Sequence, residues 1–237
     1  MKRRCAFLYA VVATAVVTAP ALAGTYVSPP GTIHAGFNYF SLPALPGSTI
    51  PATVFAGIPI DGKVAYWCRM SQSWHVYPAD MSTVDWHMGF RLEADKDYTI
   101  TFQGVQPTTE KSTCLNPTQP GLAFISQPYD HEASWADFQF ESKTTPGVRL
   151  STADAVAADW IEPYLIEGAP DSGVHITLDG AGGTDTTLEP WQGYWVTTKV
   201  GPAQEKLTIY WPTPEPATLA LLGLGAAGLV ARRFRRK

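Results

Sequence analysis

The amino-acid sequence predicts a mainly β protein, and three observations carry that reading. Proline and glycine occur 20 times each, and they punctuate the chain instead of leaving long uninterrupted runs. The runs between them are rich in Thr, Val, Tyr and Trp, side chains that suit a half-buried pleated surface. Few stretches place apolar residues at a helical period.

Each element follows from the same rules. Val64 to Arg69, Thr99 to Phe102, Trp195 to Thr198 and Leu207 to Trp211 read as strands. Ser71-Gln72-Ser73 lies between two such runs and reads as a hairpin turn, as does Gly168 to Gly173 around Pro170-Asp171. The best helical segment is the Ala-rich stretch Ser151 to Trp160, with Ser151 or Thr152 as its cap.

Weak self-similarity organises the middle of the chain. Phe37 to Pro43 matches Leu122 to Pro128 at an offset of 85, and Leu92 to Thr101 matches Leu188 to Thr197 at an offset of 96. A hairpin lies between the two matches in each copy. The difference in offset is assigned to an insertion near Ser151 to Trp160. The expectation is two small tandem β-modules, 24–105 and 122–212, joined by a Pro-rich linker at 106–121. Modules this small bury little surface alone, so they should pack together, up to a single merged sandwich. Ser41 should superpose on Ser126 and Tyr98 on Tyr194. The second ending, Leu188-Glu189-Pro190-Trp191-Gln192-Gly193-Tyr194-Trp195-Val196, resembles a closing strand of small β-modules in secreted bacterial proteins. Strand alternation sends Tyr194 and Val196 to one face and Trp195 to the other.

Residues 24–212 hold 9 Lys and Arg against 20 Asp and Glu, a net charge of −11, whereas the whole chain carries −4. That acidic body argues against nucleic acid or anionic lipid as its partner. Two cysteines fall within it, Cys68 and Cys114. In an oxidising compartment they are expected to pair, closing a loop of about 45 residues worth roughly 3–4 kcal/mol on the loop-entropy model.

No nucleophile elbow, phosphate loop, zinc-protease helix or cofactor fingerprint occurs, and no metal site is assigned. The histidines are His34, His75, His87, His131 and His175; Asp85 with His87, and His75 with Asp80, are the nearest approach to a catalytic grouping. Asp179 to Asp185 has the glycines of a calcium loop without its ligand spacing, and reads as a surface hairpin. With eight tryptophans in the chain, most must fill the core. Trp74 and Trp191, each next to a turn, are the candidates for exposed saccharide contacts.

The two ends carry the strongest signals. Lys2, Arg3 and Arg4 precede an apolar run, Ala6 to Thr18, and Pro20 leads into Ala21-Leu22-Ala23. This is the pattern of a signal peptide over 1–23, cut by signal peptidase before Gly24. At the other end Pro214-Glu215-Pro216 is followed by 15 residues without charge, Ala217 to Ala231, and then by Arg232, Arg233, Arg235, Arg236 and Lys237. The apolar stretch spans roughly 22 Å as a helix, short for a bilayer unless the arginines snorkel. Both basic clusters favour the cytoplasmic side, which places the body outside.

In that order, the Pro-Glu-Pro tripeptide, the Gly-containing apolar span and the arginine cluster over 213–237 resemble the PEP-CTERM sorting signal of Gram-negative bacteria. The resemblance implies processing by an exosortase, a transmembrane helix that anchors the precursor in the inner membrane, and association with exopolysaccharide or biofilm matrix. The sequence reading is thus a non-enzymatic surface or matrix protein. Its alternatives are a carbohydrate-binding or adhesive module and a secreted hydrolase whose site carries no known motif.

Overall fold

The computed structural model describes residues 26–28, 30–107, 109–115, 121–171, 173–178, 186–199 and 206–212. The expected signal segment with Ala21, Ala23 and Gly24, the Asp179–Asp185 loop and the expected tail helix lie outside the described residues. Among the described residues no helix is long and apolar enough to cross a membrane.

The fold is mainly β. The first unit contains β1 (Tyr26–Val27), β2 (Gly31–Ile33), β3 (Gly36–Ser41), β4 (Leu45–Pro46), the short helix α1 (Pro51–Val54), β5 (Val64–Cys68), β6 (Ser73–Val76), β7 (Gly89–Ala94), β8 (Tyr98–Ile100) and β9 (Gln103–Val105). The second contains β10 (Ser112–Cys114), β11 (Gly121–Ser126), β12 (Ala133–Ser134), a 3-10 turn at Trp135–Asp137, β13 (Gln139–Ser142), β14 (Arg149–Ser151), α2 (Thr152–Ala157), β15 (Ile161–Glu167), β16 (Val174–Thr177), β17 (Thr187–Leu188), β18 (Gly193–Thr198) and β19 (Leu207–Tyr210). Helix α2 starts where expected, with the Ser151 hydroxyl accepting from Asp154 N at 3.1 Å.

The two units share one strand order. A four-stranded antiparallel sheet β3-β7-β5-β6 in the first matches β11-β18-β15-β16 in the second. Ser41 and Ser126 each end the first strand of their sheet, Ser41 opposite Gly89 and Ser126 opposite Gly193. Register therefore makes Gly89 equivalent to Gly193 and Phe90 to Tyr194. The expected match of Tyr98 with Tyr194 fails: Tyr98 lies in β8, which pairs with β2. The Leu-Glu pair that suggested it lies within strand β7 at Leu92-Glu93. At Leu188-Glu189 it closes the short strand β17 instead.

The segment expected as a linker is partly structured. Its strand β10 pairs with β19 of the second unit, and Leu115 is buried in that unit's core. One core gathers Phe40, Leu42, Phe55, Val64, Phe90 and Leu92; the other gathers Trp135, Phe138, Phe140, Leu165, Tyr194 and Trp211. Alternation then leaves the opposite face of each four-stranded sheet free to meet the other.

Candidate functional site

That meeting surface is aromatic. Phe124 of β11 and Trp195 of β18 stack with centroids 4.4 Å apart and planes at 19°. Trp67 and Trp74 of the first unit's β5–β6 hairpin pack edge-on against Trp195 at 5.2 and 5.7 Å. The close approach needs glycine at two matching positions. A Cβ on Gly89 would fall 2.3 Å from Phe124 Cδ1, and one on Gly193 would fall 2.4 Å from Phe124 Cζ. Polar bonds cross the same seam. Trp67 Nε1 donates to Leu122 O at 2.9 Å, and the Ser41 hydroxyl donates to Gln192 O at 2.5 Å. The Ser126 hydroxyl donates to Trp86 O.

Both tryptophans expected to be exposed are half-buried here. Trp74 lies among Tyr39, Trp67, Phe124 and Trp195, with the Arg91 guanidinium 4.7 Å above its ring. Its turn is exposed, but the ring is covered by a sheet from the other half of the chain. Trp191 crosses from the second unit to the first, packing edge-on to Phe102 and lying against Gly31, whose missing Cβ would sit 3.0 Å from the indole. The Trp191 backbone takes a positive φ of 71°, and its carbonyl accepts from Ser41 N at 2.9 Å.

Cys68 and Cys114 line one cavity of about 300 Å3 with Arg69, His87, Met88 and Phe124. They are separate thiols, and the expected disulfide is not formed in the structure. It is the Arg69 guanidinium, not the Cys68 thiol, that reaches the strand of Cys114: it donates to the Cys114 carbonyl and, at 3.2 Å, to the Thr113 hydroxyl. Burial raises the pKa of the Cys68 thiol, but hydrogen bonds from Ser71 and Met70 and the Arg69 charge bring it below its ordinary value on balance. Burial pushes the Arg69 guanidinium down, opposed by both thiols. Burial, then Arg69, lowers His87, and Asp85 at 3.3 Å opposes them.

The remaining histidines are dispersed. His34 lies 3.7 Å from Asp97, both well exposed, and His131 lies beside Asp130 at 3.4 Å. His175 stacks on Tyr164 at 4.3 Å. His75 does not join Asp80; its Nε2 lies 3.0 Å from the Ser71 hydroxyl and its Nδ1 3.4 Å from the Tyr66 hydroxyl. This Ser–His contact was not singled out in the sequence, although the four-residue spacing across a turn is a signal for it. A phenol, not a carboxylate, faces the second ring nitrogen, so the pair lacks the orienting acid of a hydrolase triad.

A second cavity, a cleft of about 270 Å3, lies where the units meet along β3, between Thr32 and His34 on one side and Glu167, Gly168, Trp191 and Gln192 on the other. Phe37 stands at its wall, 61% exposed.

No curated protein and no solved structure matches the chain. Residues 212–237 match the family model described as the PEP-CTERM protein-sorting motif. The chain therefore carries the C-terminal sorting signal of exosortase substrates, which implies export and sorting to the cell surface.

Proposed function

We propose that this protein is a non-enzymatic component of the cell surface or extracellular matrix. Its tail is processed by an exosortase and its paired β-units remain outside, in association with exopolysaccharide. The observation that carries the reading is the sorting motif at 212–237. Burial of Trp67, Trp74 and Trp195 against one another favours a structural body over a saccharide-stacking platform. The separate placement of the His–Asp pairs favours it over a hydrolase. In this reading the precursor sits in the inner membrane through 217–231, and signal peptidase removes residues 1–23.

The test is to replace Pro214, Glu215 and Pro216 together with alanine and follow the protein through cell fractions. The expected result is full-length precursor retained in the membrane fraction and loss of the protein from the extracellular polysaccharide fraction. Release at the normal rate would mean that the tripeptide plays no part in processing.

A further inference from the structure

Among the described residues, one edge of β3 carries backbone groups that no other strand takes up. Phe40 forms one isolated antiparallel bridge with Gln192, and the Ser41 N–H donates to Trp191 O instead of to β7. In an antiparallel ladder, alternate residues turn their backbone groups to opposite sides. Phe37 and Tyr39 therefore share the orientation of Ser41. The N–H and C=O of Phe37 and the N–H of Tyr39 face away from β7, toward the 270 Å3 cleft that both residues line.

The equivalent edge in the second unit is closed. Leu122 of β11 matches Phe37 of β3, counting back from Ser126 and Ser41. Its N–H donates to Gln72 Oε1 at 3.1 Å, and its carbonyl accepts from Gln72 Nε2 at 3.0 Å and from Trp67 Nε1 at 2.9 Å. The two halves share their strand order, yet among the described residues only β11 has its outward groups covered at this position. An open strand edge of this kind is a template for pairing with another chain.

We propose that the free edge of β3 is a docking site for a short, basic, extended polypeptide segment of a partner protein, which adds beside residues 36–39 and continues the antiparallel ladder that Gln192 begins. Strand addition of this type takes its affinity from main-chain hydrogen bonds. The outward groups of Phe37 and Tyr39 repeat every second residue, about 6.8 Å apart, which is the spacing of a paired strand. Residues of both units flank the edge, Thr32 and His34 from the first and Glu167, Gly168 and Gln192 from the second. Arg91 already stacks on the Phe37 ring at 5.3 Å, which makes that ring a poor saccharide platform. Glu167 in the wall, Asp97 beside His34 and the net charge of −11 on residues 24–212 favour a segment carrying Lys or Arg.

The experiment selects binders to the exported protein from a displayed random peptide library, with the host's extracellular polysaccharide tested in parallel. Selected peptides are then measured against F37P and F37A. Proline removes one outward N–H on an edge strand, a position where it is tolerated; alanine removes only the ring. The expected result is enrichment of basic peptides that lose about tenfold or more in affinity for F37P but bind F37A nearly normally. In the unmutated protein the same peptides should slow amide exchange at Phe37 and Tyr39, a readout independent of how F37P folds. Equal losses in both variants, binding by the polysaccharide alone, self-association through this edge, or no peptide that protects those two amides would each overturn the proposal.

Discussion

Gly193→Ala is expected to destabilise the protein by about 2–3 kcal/mol, the upper part of the range for overpacking a filled interior. The added methyl would sit 2.4 Å from Phe124 Cζ and 3.0 Å from the Phe40 carbonyl oxygen. Phe124 has no room to give way, because Trp195 is stacked on it at 4.4 Å. Gly89→Ala approaches the same ring from the other sheet, at 2.3 Å, and should cost a similar amount. The two effects share one cause, so they should not add. In a Phe124→Ala background, itself destabilised by about 3–5 kcal/mol, Gly89→Ala should become nearly neutral, and Gly193→Ala should keep only the smaller cost of its approach to the Phe40 carbonyl. Denaturant unfolding of the two glycine variants, their double, Phe124→Ala and its two glycine doubles checks this. Full additivity would show that the two glycines are not holding the sheets against a common ring.

Trp195→Ala should be as damaging as Phe124→Ala in the seam. The side chain is 1% exposed, packs on Phe124, Trp67 and Trp74, and donates from Nε1 to Gly168 O at 2.8 Å. Removing it leaves a cavity and an unpaired carbonyl, together about 3–5 kcal/mol. Arg91 stands at the matching place in β7, opposite Tyr39 as Trp195 stands opposite Phe124. It rests over Trp74 from a less buried position, so Arg91→Ala should cost only about 1 kcal/mol. A thermal or denaturant comparison in which Arg91→Ala matched Trp195→Ala would contradict this division of roles.

What the sequence made legible was local. Alternation placed Tyr194 and Val196 in the core and Trp195 on the other face, because strand period is fixed by the backbone. The Ser-x-Pro endings located the first strand of each four-stranded sheet, because both serines sit at the same strand end and bond across the seam. What depended on distant pairing was not legible. Trp74 looked exposed from its turn, yet the sheet that covers it begins at Gly121. Leu92-Glu93 and Leu188-Glu189 share a pattern, yet one lies in a central strand and the other closes a two-residue strand. Strand β10 has three residues, too few to show a period among prolines. The cleft along β3 is lined by residues from both halves of the chain, so no single stretch of sequence marks it.

The central claim is that the tail is a processing signal and that the mature protein is the β body alone. Intact mass measurement of the protein recovered outside the cell tests it most directly. The account predicts a chain that begins at Gly24 and ends at or near Pro214 to Pro216, without residues 217–231. A released form that still extends to Lys237 would contradict it.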